Sequence, residues 1–172
     1  MMLLFLPSCR DNGPGDNPVA GETVLQLKTP SGVDFDWKAA PNALVNGASC
    51  KITLSEGSPV IGVEASSAGE YEIIIPAEAY SRARKCFVLP PAQIPSASGA
   101  ADPRFFPMHA RTDASGEVCL EPLVGIVKIN VKGSGRLMSA YLSAPSLSGT
   151  FGFDGKSLSA DSSYPLCPFT VV

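Results

Sequence analysis

The sequence predicts an all-β fold, an antiparallel two-sheet β-sandwich with a long Pro-rich loop. Apolar and polar residues alternate with period two in about ten short runs, the pattern of strands with one buried and one wet face. Gly and Pro, 16 of each in 172 residues, fall between those runs as turn signals. Only residues 76–85 have helical character.

In chain order, residues 1–9 come first. Leu3, Leu4, Phe5 and Leu6 form an apolar patch that ends in Pro7, Ser8 and Cys9. Leu6-Pro7-Ser8-Cys9 resembles a lipobox, the signal that directs a diacylglycerol to the cysteine of a bacterial lipoprotein. No Lys or Arg precedes it, and the apolar stretch is short for a secretory segment. A truncated lipoprotein signal is therefore expected, with the natural start upstream. Residues 10–21 follow as a flexible tether. Gly13, Pro14, Gly15, Pro18 and Gly21 alternate there with Asp11, Asn12, Asp16 and Asn17, too little apolar surface to offset the entropy of ordering.

The sandwich domain is expected over residues 22–156. Thr23–Lys28 is its first strand. Val33, Phe35 and Trp37 alternate with Asp34, Asp36 and Lys38; Ile52 and Leu54 with Lys51 and Thr53; and Tyr71, Ile73 and Ile75 with Glu70 and Glu72. Val60–Glu64, Cys86–Leu89, Glu117–Glu121, Val127–Val131, Leu137–Ser143 and Phe151–Phe153 are further strands. Pro30-Ser31-Gly32, Glu56-Gly57-Ser58, Gly133-Ser134-Gly135 and Asp154-Gly155 are turns. Pro76, followed by Ala77, Glu78 and Ala79, suits a helical turn or two. Residues 90–116 lack a period and are rich in Pro, Ser and Ala, which predicts a long loop pinned by Phe105, Phe106 and Met108. Residues 157–172 read as an atypical tail.

Net charge is −3 with 13 basic residues, and only Arg82, Arg84 and Lys85 lie close together. That argues against nucleic acid, which needs clustered cations. No apolar run is long enough to span a bilayer. The five cysteines lack zinc spacing, and Asp11 with Asp16 lacks the pattern of a calcium loop. No metal and no cofactor are expected. With Cys9 lipidated, Cys50, Cys86, Cys119 and Cys167 remain, either as two disulfides or as small buried hydrophobes.

No catalytic residue is expected either. His109 is the single imidazole, and no serine lies in a Gly-x-Ser-x-Gly elbow. Cys86 could be drawn as its partner, but Cys86 sits in a strand beside Phe87 and Val88. Asp34 with Asp36, and Glu70 with Glu72, have a carboxylate spacing that glycosidases use. Any half-exposed strand produces the same spacing.

The order of these signals resembles the fimbrillin-like surface lipoproteins of Bacteroidetes. The lipobox before a tether is one match. Phe87-Val88-Leu89-Pro90-Pro91-Ala92-Gln93 is similar to a family strand ending in Pro-x-Gln, and Phe106-Pro107-Met108-His109-Ala110 to the segment downstream of it. Residues 121–133, then 137–144 and Leu147-Ser148-Gly149-Thr150-Phe151, resemble the family's long strand, hairpin and second strand. The resemblance implies a transthyretin-like sandwich, the N-terminal domain of a fimbrial subunit type, and export to the cell outer membrane on a palmitate-bearing Cys9. It implies a role in fimbriae or adhesion, with other fimbrial or surface subunits joined by β-strand addition. Thr23, Val24, Leu25, Gln26, Leu27 and Lys28 would form the exchanged strand. Family members continue with a second sandwich, so residues 157–172 suggest a truncated chain. The alternative is a surface glycan-binding lipoprotein for nutrient capture, which would expose Trp37, Tyr71, Tyr80 or Tyr141.

Overall fold

The computed structural model describes residues 22–40, 42–64, 69–90, 92–93, 100–113, 116–126, 132–135, 140–142, 148–160 and 169–171. The described chain is mostly β-strand. Its helical content is three single 3-10 turns, Trp37–Ala39, Ala77–Ala79 and Pro103–Phe105. The early strands are β1 (Glu22–Lys28), β2 (Asn42–Val45), β3 (Ala48–Lys51), β4 (Thr53–Ser55), β5 (Ser58–Glu64) and β6 (Tyr71–Ile75). Then come β7 (Tyr80–Ser81), β8 (Cys86–Leu89), β9 (Ala92–Gln93), β10 (Met108–Thr112), β11 (Gly116–Cys119) and β12 (Glu121–Pro122). The last are β13 (Ala140–Leu142), β14 (Gly149–Phe153), β15 (Leu158–Ala160) and β16 (Phe169–Val171).

Where the sequence led us to expect two sheets, the described residues form three larger ones and a small fourth. The first has the order β11-β1-β5-β4, the middle β12-β10-β6-β2-β3 and the outer β15-β14-β8-β7. Strands β13, β16 and β9 form the small sheet. Among the described strands, pairing is antiparallel except for β1 with β11 and β16 with β9. Two strands turn from one sheet into another. Ile52 alone separates β3 of the middle sheet from β4 of the first, and Leu120 alone separates β11 of the first from β12 of the middle. Both residues are buried, and the Leu120 amide donates to the Lys28 carbonyl at 2.8 Å. The first and middle sheets are thus joined through the chain at two edges.

The main core lies between these two sheets. Leu25, Leu27, Ile61, Val63 and Val118 of the first sheet meet Ala43, Val45, Tyr71, Ile73, Ile75, Met108 and Ala110 of the middle one. Burying each aliphatic side chain of Val or Leu size stabilises by about 1.5–3 kcal/mol. A second core forms on the other face of the middle sheet, where Leu44 and Ile74 meet Phe87 and Phe153 of the outer sheet. The middle strands are therefore covered on both faces.

That double burial explains two departures from expectation. Residues 90–116 are not one long loop, because β9 and β10 fall within them. Met108, His109 and Ala110 are all buried, so the segment lacks the alternation of a half-exposed strand. Strand β2, buried at Ala43, Leu44 and Val45, is hidden in the sequence for the same reason. A third departure is local. Residues 33–37 are not a strand. Phe35 makes one isolated bridge to Ala101, and the Asp36 carboxylate then accepts from the Lys38 amide at 3.2 Å, opening a 3-10 turn. Such a side chain offers the backbone a partner outside any ladder. Phe35 remains in the core, with Val33 and Trp37 packed against it.

Other expectations are met. The Val33 amide donates to the Pro30 carbonyl across the expected turn. Glu56 and Gly57, both at positive φ, close the β4–β5 hairpin, as two-residue hairpin turns require. One 3-10 turn follows Pro76. Phe151 and Phe153 are both buried in β14. One expectation is not met: Leu158–Ala160, assigned to the tail by the boundary expected at 156, pairs instead with β14 of the outer sheet. Residues 127–131 lie outside the described residues. Cys86 and Cys119 are free thiols, one buried and one exposed. Cys50 is disulfide-bonded, its partner lying outside the described residues.

Candidate functional site

The candidate lipidation site Cys9, with Leu6, Pro7 and Ser8, lies outside the described residues. The candidate exchange strand Thr23–Lys28 lies within β1. Alternation sends Leu25 and Leu27 into the core at 0% and 1% exposure, while Val24 stays 43% exposed on the opposite face. β1 is interior to its sheet. Glu22–Gln26 pair antiparallel with Val60–Glu64 of β5, and Leu25–Lys28 pair parallel with Gly116–Cys119 of β11. The Lys28 ammonium meets the Glu117 carboxylate across the parallel pair. Both partners are exposed, so this contributes about 0–1 kcal/mol.

A second constellation was not legible in the sequence. Glu72 of β6 stands opposite Arg111 of β10, and Ile74 opposite His109. All four share the face of the middle sheet that meets the outer sheet. The Arg111 guanidinium donates to Glu72 Oε1 at 2.8 Å, and His109 Nε2 lies 3.5 Å from the same oxygen. That Nε2 is buried without a hydrogen-bond partner, and the imidazole stacks edge-on against Phe153 at 5.1 Å. Burial lowers the His109 pKa, against the pull of the Glu72 carboxylate. Burial acts to raise the Glu72 pKa, but the Arg111 hydrogen bond and charge, helped by His109, hold it below the ordinary carboxylate value.

Beside this cluster a surface pocket of about 250 Å³ opens, lined by Leu44, Asn46, Gly47, Glu72, Ile74, Tyr80, Arg82 and Lys85. Two hairpins build it. The β2–β3 turn holds Asn46 and Gly47, both at positive φ. Asn46 is bound to β6: its amide group donates to the Glu70 carbonyl at 3.0 Å and its side-chain oxygen accepts from the Glu72 amide at 2.8 Å. The β7–β8 turn supplies Arg82 and Lys85. Tyr80 leads into that turn, its ring against Phe87 at 4.9 Å and Phe153 at 6.0 Å. Burial, with the charge of Glu72, raises the Tyr80 pKa. The Asn46-Gly47 dipeptide is the sequence signal that marks this hairpin. Nothing in the sequence brings Glu72 to it.

Of the aromatic residues expected to mark a glycan platform, Tyr71 is buried in the core and Trp37 packs against it, 4.7 Å from Phe35. Tyr80, half-buried, lines the pocket, and Tyr141 lies in β13. Asp34 and Asp36 do not share a strand. Among the described residues no group of three or more His, Cys, Asp or Glu is placed to hold a metal ion, and no helix is long and apolar enough to cross a membrane. Compared with family models, with curated proteins and with solved structures, the chain matches none of them.

Proposed function

We infer that this is a lipid-anchored protein of the cell surface that acts by contact and not by turnover. Cys9 carries the lipid, residues 10–21 give reach, and the first and middle sheets, read as a transthyretin-like sandwich, present a strand for assembly with fimbrial or other surface subunits. The outer membrane is the location this reading implies. The observation that carries it is the place of β1. The first described strand is bonded along both edges and inserts Leu25 and Leu27 into the core. Withdrawing it would leave two rows of unpaired backbone groups and an apolar slot, which a strand from another copy can fill. The disulfide at Cys50 fits an oxidising compartment. The sealed position of His109, its Nε2 without a partner, fits a structural role better than a general base, which needs a proton donor or acceptor within reach.

Deleting residues 20–28 tests the assembly reading. The shortened chain is expected to bind a synthetic peptide of residues 22–28, or to swap strands between copies, while the intact chain does neither. Size-exclusion chromatography and peptide titration read the outcome. A shortened chain no stickier than the intact one removes the strand-exchange mechanism. Metabolic labelling with palmitate tests the anchor: label is expected on the wild-type chain and lost in Cys9→Ser.

The alternative, a surface glycan-binding lipoprotein, is favoured by one observation, the half-buried Tyr80 beside Glu72, Arg82 and Lys85.

A further inference from the structure

The geometry points to the pocket between the β2–β3 and β7–β8 turns as a binding site for a small hydroxylated carboxylate, of which a uronic acid residue of an acidic polysaccharide is the type that fits. Charge is the first argument. The protein is acidic overall, at net −3, yet Arg82 and Lys85, both of the β7–β8 turn, line the pocket with no hydrogen bond or ion pair to either side chain among the described residues. The one acid in the lining, Glu72, is already matched by Arg111 at 2.8 Å. Two unmatched positive charges beside a low-dielectric wall draw an anion.

The second argument is preorganisation. A Cβ placed on Gly47 would come within 2.5 Å of the Arg82 Cζ and Nη2. The guanidinium therefore lies directly on the glycine backbone, which limits its freedom before any ligand arrives. A planar guanidinium held in this way matches a carboxylate through two parallel hydrogen bonds, whereas Lys85 adds a point charge.

The third argument selects among anions. Asn46 offers nothing to a ligand, since both of its side-chain polar atoms serve β6. Glu72 does: Arg111 and His109 both approach Oε1, which leaves Oε2 to accept from a ligand hydroxyl. Leu44, Ile74 and the Tyr80 ring supply an apolar wall. A bare phosphate would use neither the wall nor the acceptor, and Glu72 would repel it. A sugar acid uses all three features: carboxylate on Arg82 and Lys85, hydroxyl on Glu72, ring face on Tyr80. The volume of about 250 Å³ is below the usual range for drug-sized ligands and suits one ring. The site does not rest on strand exchange, because β1 contributes nothing to it.

The test is an NMR titration of the isotope-labelled full chain with sodium glucuronate, and with glucose and inorganic phosphate in parallel, at low salt. Saturable shifts are expected at the amides of Asn46, Gly47 and residues 80–85, with a Kd on the order of 1 mM, as befits so small a ligand. Glucose and phosphate are expected to bind at least about tenfold more weakly. Arg82→Ala and, separately, Lys85→Ala remove exposed side chains and should leave the spectrum folded while weakening glucuronate about tenfold or more; Arg82→Lys should fall between. Added salt should weaken binding. Shifts absent from these amides, an Arg82→Ala titration equal to the parent's, or phosphate or glucose binding as tightly as glucuronate would each overturn the assignment.

Discussion

His109 shows how one buried polar side chain ties the stability of the fold to pH. Glu72, Arg111, Glu121 and the Phe153 ring surround it. Because burial depresses its folded pKa below 6.5, the unfolded chain binds a proton more readily than the native one. Stability is then full above 6.5 and is lost as pH falls through that value towards the folded pKa. Glu72 acts in a separate window. Its pKa lies below 4.5, so its contribution is present above 4.5 and is lost as pH falls further. The expected outcome is a lower urea midpoint at about pH 5.5 than at about pH 7.5. His109→Gln should flatten that slope, because the titrating group is gone; a slope equal to the parent's would assign the effect elsewhere.

Strands in this chain fall into two kinds. β5 reads in sequence as it stands in the structure, with Pro59, Ile61 and Val63 inward and the residues between them less buried, because only one of its faces is covered. β6 is covered on both faces, so Ile74 is buried along with Ile73 and Ile75. Both faces should therefore respond to truncation. Ile73→Ala and Ile74→Ala are each expected to cost about 2–5 kcal/mol. Val24→Ala, on the open face of β1, should stay within about 1 kcal/mol. Urea denaturation measures all three. The missed strands β2 and β10 belong to this doubly covered sheet. Their buried residues run consecutively, Ala43 to Val45 and Met108 to Ala110, and Pro107 beside β10 reads as loop chemistry. The Arg111–Glu72 pair was equally hidden, since it joins residues 39 positions apart.

The cysteines carry a test of the whole molecule. A lipidated sulfur is a thioether and cannot also form a disulfide. With Cys86 and Cys119 free and Cys50 bonded, the lipoprotein reading requires Cys167 as the partner of Cys50. Non-reducing peptide mapping should recover a Cys50–Cys167 peptide, and a Cys50–Cys9 peptide would contradict the anchor. Reduction should cost about 2–4 kcal/mol of stability. The sequence by itself determined the all-β class, the first strand, the β4–β5 hairpin and the aromatic pair in β14. Each depends on neighbours in the chain: side-chain alternation, or a turn residue that tolerates positive φ. Only the tertiary structure decided that the strands form three larger sheets, that β1 is bonded on both sides, and that Glu72, Tyr80 and Arg82 meet around Gly47. Those relations follow from which faces find apolar partners, and burial is settled between segments distant in sequence.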